Sequence, residues 1–330
     1  MALTLLDLAS IEQRPMKKAI LMAFFESQLP SPVEQLPIET ATALSQKTVR
    51  LTDAGTPSTR NIGDAVAAYK ATFSDREETL KIIENKVTLD KVLLDVKSYI
   101  QDPLALQMQA YALVVKNTVN DLLVNGNPGS DATQPAGLHY RLNTDAIFSG
   151  QAVNAAGLDL HTVATLEANG LTFMNYFDEA VTLCGGGDPD IALINRQTWL
   201  MFRSVLRKTK LLDTTRDQFD REIMTYGRVK LINAGQKPAG VLSPSNAQQV
   251  IGNDGETSIF GTASSTPVYL LQTKGENGIK LLQLHPLRVT KVGIDPGDPG
   301  QYVVDVVWPI GFSLPQRFCV SSVQGLDVSA

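Results

Sequence analysis

Between Ala43 and Asn61 the chain carries strand-forming residues and turn chemistry but no apolar face of its own. Val49 and Leu51 are set among Ser45, Gln46, Lys47, Thr48 and Arg50, a stretch with strand propensity. Thr52-Asp53-Ala54-Gly55-Thr56-Pro57-Ser58-Thr59-Arg60 then has the composition of a turn. The segment reads as a hairpin with its tip between Asp53 and Arg60. Without a continuous apolar face it cannot pack onto its own protein. An ordered arm of this kind needs a neighbouring subunit to bury it, which points to an assembly protein rather than a self-contained catalyst.

The next strong signal is a long helix. Asp102 suits the N-cap and Pro103 the first helical position, where a missing N–H costs nothing. Leu104, Met108, Ala112, Val115, Val119 and Leu122 recur at spacings of three and four and make one apolar stripe. Gly126 is expected to end the helix in a left-handed conformation. From Asp102 to Asn125 the helix spans roughly 35 Å at 1.5 Å per residue. That length suits a structural spine, although the same periodicity fits a core helix of an enzyme.

The 330 residues can bury one large core or two small ones. Hydrophobic content of 43% and charged content of 19% describe a globular chain. A net charge of -5 argues against a dedicated nucleic-acid binder, but not against an inner surface that faces nucleic acid. Cys184 and Cys319 have neither CxxC nor metal-ligand spacing and read as reduced, buried residues of a reducing compartment. The apolar start is interrupted by Asp7, and its basic residues Arg14, Lys17 and Lys18 come after it, the reverse of a secretory signal. No run approaches the length of a membrane span, so no membrane partner is expected.

Along the chain, residues 3 to 28 read as amphipathic helix broken at Pro15, and Pro30, Pro32 and Pro37 as an extended connector. A helical or irregular piece at Ile62 to Tyr69 leads to a mixed strand at Thr79 to Val87, and Asp90 to Ile100 to a short helix or turn. Thr162 to Leu183 reads as a second helix, with Leu166, Phe173, Phe177 and Val181 on one side, stopped by Gly185-Gly186-Gly187. Asp190 to Ile194 reads as a buried strand, and Asn195 caps a third helix to about Arg207. From Tyr226 onward the chain is strand and turn. Asn253-Asp254-Gly255 is a turn signal. Val268 to Gln272 and Ile279 to Leu284 are expected as a hairpin around Asn277-Gly278, and Val289 to Val292 and Tyr302 to Trp308 as another.

Chemistry-bearing motifs are few. The sequence has no Gly-x-Ser-x-Gly, no phosphate-binding glycine loop and no His-Glu-x-x-His. His139, His161 and His285 are far apart, and Asp295, Asp298 and Asp305 do not have the EF-hand spacing. No catalytic residue, cofactor or metal is expected. Arg203, Arg207, Lys208 and Lys210 form the only local basic cluster. It reads either as a surface facing DNA through phosphate attraction, or as a solvated helix face with cations at its C-terminal end. In the arm, Lys47, Arg50, Asp53, Arg60 and Asp64 supply charges that could set register between subunits.

The order of these parts resembles the major capsid protein of tailed bacteriophages. The resemblance is carried by the N-terminal arm, the two-stranded loop, the acid-capped spine helix, the Gly126-Asn127-Pro128 loop, Pro135-Ala136-Gly137-Leu138 and the strand-helix unit from Pro189 to Trp199. It covers most of the chain and implies an α+β capsid fold. Its parts would be an N-terminal arm at 1–40, an extended loop at 41–78 and a peripheral domain at 79–160 holding the spine helix at 102–125. A mostly axial domain would follow at 161–284, with return strands at 285–330. It implies hexamers and pentamers in an icosahedral shell around double-stranded DNA, as a virion component assembled in the host cytoplasm. About forty residues precede the hairpin and Met1 is present, so a separate scaffolding protein is expected, with a portal and decoration proteins as further partners. Some relatives cross-link a loop lysine. Lys47 lies nearest to that role, with no partner residue assigned. An encapsulin-type compartment shares the fold and is the alternative; a two-domain α/β enzyme is the third reading.

Overall fold

The computed structural model describes residues 31–91, 103–185, 189–211, 213–216, 221–238, 249–252, 265–295 and 297–328. The expected helix at 3 to 28, the piece at Asp90 to Ile100, the Asp102 cap, the triple-glycine stop past Gly185 and the turn at Asn253 fall wholly or largely outside them. In chain order the elements begin with a single helical turn, α1 (Pro32–Gln35), and a short strand, β1 (Ile38–Thr40). Then come β2 (Ser45–Asp53), β3 (Thr72–Thr79) and β4 (Lys81–Asp90), followed by the spine helix α2 (Pro103–Asn125) and α3 (Leu138–Thr144). After β5 (Ala152–Asp159) come α4 (Val163–Leu183), β6 (Ile191–Ile194), α5 (Arg196–Thr209), β7 (Asp213–Arg216), β8 (Glu222–Tyr226) and β9 (Val229–Asn233). The last strands are β10 (Thr266–Leu271), β11 (Lys280–Gln283), β12 (Arg288–Ile294), β13 (Gln301–Ser313) and β14 (Val320–Asp327).

These strands make two sheets and a separate hairpin. One sheet has seven strands in the order β5-β14-β10-β6-β9-β8-β7. The other has five and is organised by β13, which pairs along one edge with β4 from Gln301 to Ile310 and along the other with β12 and then β11. β1 adds to β11 in parallel. The hairpin is β2 against β3, in register from Ser45↔Thr79 outward.

Period-two alternation lets the seven-stranded sheet serve two cores. Ile191, Leu193, Tyr269 and Leu271 face a central core shared with the spine helix and the five-stranded sheet. Ala192, Ile194, Val268 and Leu270 face the opposite way, under α4 and α5. There Phe202 sits edge-on to Phe173 and Phe177, at centroid separations of 5.1 and 5.0 Å. Both helices begin at a cap: Thr162 with Thr165 for α4, and the Asn195 side chain accepting from Thr198 N at 2.7 Å for α5.

The expected stripe of the spine helix is buried at Met108, Ala112, Val115 and Val119, while Leu104 and Leu122 are partly buried against the same core. Lys116 and Asn120 fall in phase with that stripe and are buried too. Lys116 Nζ pairs with Glu34 Oε1 at 2.7 Å, and Arg221 Nη2 reaches Glu34 Oε2 at 2.9 Å. Asn120 Oδ1 accepts from Ser31 Oγ at 2.8 Å. The connector at the start of the described chain is thereby fixed to the spine by charge and hydrogen bonds, with Val33 and Leu36 in the core beside it.

Several expectations are corrected. Gly126 is not left-handed. Glycine is needed because a Cβ there would lie 2.3 Å from Pro135 O and 2.5 Å from Leu122 O. Gly137 N donates back to Gly126 O at 2.7 Å and closes the loop between them. The hairpin around Asn277-Gly278 does not form: β10 belongs to the seven-stranded sheet and β11 to the five-stranded one. Asp190 Oδ2 takes the N–H groups of Thr273 and Lys274 at 3.0 and 3.1 Å, so the chain turns out of the first sheet there. The hairpin around Asp295 to Gly300 does form, as β12 and β13. β5 and β14, far apart in the chain, pair in parallel within the seven-stranded sheet.

Candidate assembly interface

The extended arm is the β2–β3 hairpin. The expected tip, Asp53 to Arg60, is longer in the structure, because strand pairing stops at Asp53↔Thr72. Tyr69 Oη donates to Ala54 O and Asp53 Oδ1 accepts from Gly55 N at 2.9 Å, which narrows the neck. Beyond the neck Ile62 is fully exposed and Val66 is 79% exposed. Arg60 Nη1 donates to Asp64 O at 3.0 Å, and Asp64 Oδ2 accepts from Asn61 N at 3.0 Å, so the tip is a turn held by its own polar groups.

Directly opposed residues share a face of a hairpin. Lys47 with Glu77, Val49 with Asp75 and Leu51 with Phe73 form the outer face, and all six are exposed. Arg50, Arg76 and Glu78 lie on the inner face and tie the arm to its own subunit. Arg141 on α3 holds Glu78 through two nitrogens at 2.7 Å each. It also donates to Phe312 O and Ala136 O at 3.0 and 2.9 Å. Arg76 pairs with Glu78 at 3.0 Å and with Asp145. The Arg76 cation holds the Asp145 carboxyl below its ordinary value, against the upward pull of burial. Arg50 is 3% exposed and donates to Leu314 O and to Pro315 O, the latter at 2.6 Å. Both Arg50 and Arg76 stack over Phe148, at 5.5 and 5.8 Å.

The sequence-selected arm residues therefore divide. Lys47, Asp53, Arg60 and Asp64 are exposed, whereas Arg50 is buried within its own subunit. The arm has no apolar inner face, as expected, but it has a charged one. Arg141, Glu78 and Asp145, which complete that joint, were missed by sequence reasoning. Nothing local signals a pair 63 residues apart.

The basic cluster lies on α5. Arg207, Lys208 and Lys210 are exposed, while Arg203 is partly covered and lies over the Trp199 ring at 5.2 Å. Lys208 approaches Glu167 of α4 at 3.4 Å, with both side chains 61% exposed. Such a pair is too solvated to remove the positive character of the helix end.

The groups weighed for chemistry do not converge. His139 Nδ1 lies 3.0 Å from Tyr269 Oη between α3 and the seven-stranded sheet, and burial lowers its pKa. His161 precedes α4, and the half-buried His285 donates to Pro286 O at 2.9 Å. Asp295 and Asp298 cap their own turn through Gly297 N and Gly300 N at 2.9 and 3.1 Å. Among the described residues no three His, Cys, Asp or Glu side chains gather as a metal set. Cys184 and Cys319 are free and buried, and burial pushes their thiols up to about 12 and about 11.

No protein-family profile matches the chain, and no curated protein matches it in sequence. Solved structures match it in fold. The chain has the fold of shell-forming capsid proteins, that of tailed-phage heads and encapsulins. The SrpI encapsulin of Synechococcus elongatus PCC 7942 aligns with a TM-score of 0.62 at 16% identity, covering 90% of this chain and 88% of that one. The capsid of a native GTA particle aligns at 0.55 with 13% identity, covering 95% and 91%. The capsid of Myoviridae phage XM1 aligns at 0.53 with 12% identity, covering 88% and 90%. No helix of the described residues is long and apolar enough to cross a membrane.

Proposed function

We propose that the chain is a major capsid protein, which self-assembles as hexamers and pentamers into an icosahedral shell around double-stranded DNA. The observation that carries this reading is the arm. It is anchored to its own subunit by the arginine joint, yet its outer face and its tip, with Ile62 and Val66, are left uncovered on a fold that both phage heads and encapsulins use. Ring-forming contacts between identical subunits bury such surfaces, and closed shells leave no copy of them exposed. Lys47, Asp53, Arg60 and Asp64 are the arm charges that meet a neighbour. Arg203, Arg207, Lys208 and Lys210 present cations to packaged DNA without base readout. Its further partners in this reading are a separate scaffolding protein during assembly, a portal and decoration proteins, and the virion is assembled in the host cytoplasm. The chain is read as structural rather than enzymatic.

The second reading, an encapsulin-type compartment, is favoured by the alignment to SrpI at a TM-score of 0.62, above the two capsids given beside it. Electron microscopy of purified particles, with an assay of their nucleic-acid content, separates the two. DNA-filled shells support the capsid reading, and shells holding an enzyme cargo support the compartment. A monodisperse monomer under all salt and scaffold conditions overturns both.

A further inference from the structure

The arm meets the body along a groove of about 510 Å³ at its neck, lined by Arg50, Leu51, Ile147, Gln316, Arg317 and Phe318 among others. Its apolar members are only half-covered: Leu51 is 48% exposed, Ile147 38% and Phe318 45%. Its charged members, Arg50 and Arg317, are both cationic, beside the neutral Thr52, Ser74 and Gln316. Arg317 lies over the Phe318 ring at 4.5 Å. Arg50 is 3% exposed and gives two of its nitrogens to Pro315 O and Leu314 O, but its Nη1 is buried with no hydrogen-bond partner. A buried guanidinium donor left unmatched is costly, and it leaves the Arg50 charge only partly compensated behind the groove wall. The adjoining joint sets Arg50, Arg76 and Arg141 against Glu78 and Asp145, and Arg317 adds another cation. Four guanidinium groups thus stand against two carboxylates. The groove is built for an anion carried between apolar groups.

The arm tip has that composition. Ile62-Gly63-Asp64-Ala65-Val66 places one carboxylate between two exposed aliphatic side chains. Within its own subunit the tip lies beyond the neck that Tyr69 and Ala54 pinch, and nothing covers Ile62 or Val66. We infer that the neck groove is the receptor for the arm tip of a second copy of this chain, with Asp64 entering beside Arg50 and Arg317 and with Ile62 and Val66 against Leu51, Ile147 and Phe318. The contact is heterologous, since tip and groove are different surfaces, so each copy gives its tip to one neighbour and receives another. Repetition of such a contact closes a ring when the rotation allows it. The inference rests on the shell reading and names the partner surface of the arm.

The test is charge reversal, read by sedimentation velocity and electron microscopy. Asp64→Arg and Arg317→Asp each place like charges together, and each is expected to raise the concentration needed for assembly by at least about tenfold. Combining them restores an opposite pair, and assembly should return towards the wild type. Both positions are on the surface, so circular dichroism should not change. A second measurement uses Asp64→Cys with Arg317→Cys. Oxidation should link different chains into a ladder on a non-reducing gel. A disulfide within one chain, or none in assembled particles, overturns the inference. Single reversals that assemble like the wild type, or a double reversal without recovery, overturn it while leaving the shell reading intact. A wild type that never assembles overturns the shell reading and this inference with it.

Discussion

Arg141 grips Glu78 with both terminal guanidinium nitrogens at 2.7 Å, and the two side chains are only 2% and 6% exposed. This pair fastens the arm to the helix that follows the spine. Removing one partner strands a buried charge, which costs about 3–5 kcal/mol. Arg141→Ala and Glu78→Ala should each lower the melting temperature sharply. Arg141→Lys should recover little, because an ammonium cannot reproduce the bidentate fork or the bonds to Ala136 O and Phe312 O. A melting temperature for Arg141→Lys equal to the wild type would show that the fork is not what holds the arm.

The spine helix offers a contrast within two residues. Val115 is 2% exposed in the central core, whereas Leu113 is 36% exposed on the other face. Val115→Asp places an unpaired carboxylate among apolar side chains, at a cost of several kcal/mol. It should be insoluble, as should Met108→Asp. Leu113→Asp should express as a folded protein. Equal solubility of the two sites would mean that the stripe is rotated from where the structure has it.

At the end of that helix Gly126→Ala would push a methyl group to 2.3 Å from Pro135 O, and Gly137→Ala would meet Gly126 N at 2.6 Å. Both neighbours are backbone, so the loop must open, at about 1–3 kcal/mol by analogy with overpacking. Gly252→Ala is the control, since a Cβ there meets nothing within 4 Å and its φ is not positive. Urea denaturation should show lower midpoints for the first two and no loss for the third.

What was legible in the sequence follows the range of the interactions concerned. The spine helix, α4 and α5 were readable because period and caps are local: Asn195 sits three residues from the N–H it caps. Only half of the arm was readable. β2 has a strand-like composition, but β3, Thr-Phe-Ser-Asp-Arg-Glu-Glu-Thr, is so polar that no strand is expected there, and the strand expected at Thr79 to Val87 is β4. Its partner across the ladder, not its own propensity, makes it a strand. Lys116 could have been found, since a charge in phase with an apolar stripe needs a buried partner. The parting of β10 and β11 into different sheets and the seating of β14 between β5 and β10 carry no local mark. Likewise the neck groove is assembled from four separate stretches of the chain, so no one of them reads as a site.

His139 gives the fold an acid sensitivity whose sign can be worked out. Burial lowers its pKa, so the folded protein prefers the neutral imidazole against Tyr269. In the unfolded chain the ordinary value is about 6.5. The stabilisation is therefore complete above about pH 6.5 and is lost as pH falls through the depressed folded value. The wild type should melt lower at about pH 5 than at about pH 7.5. His139→Gln should narrow that difference, because glutamine does not titrate. Asp145 and Asp190, both held below the ordinary carboxylate value, act in the same direction at lower pH and are common to both proteins. An unchanged pH dependence in the variant would exclude His139 as its source.

The arm tip can be tested apart from the arm itself. Gly55 packs against Lys70 O, and Tyr69 closes on Ala54 O, so the neck is complete without residues 56–68. The joint of Arg50, Arg76, Glu78 and Arg141 lies on the body side of that neck. Replacing residues 56–68 with a short Gly-Ser turn should therefore leave the subunit soluble, with its circular dichroism and melting temperature close to the wild type. It should abolish or strongly weaken particle formation, because Ile62, Asp64 and Val66 no longer reach a neighbour. The total interface of a shell subunit far exceeds the roughly 1,000 Å² of a specific contact. Residual small oligomers are consistent with loss of the tip alone. Electron microscopy of the variant decides the matter: shells of normal size and thermal stability would show that the tip takes no part in holding copies together.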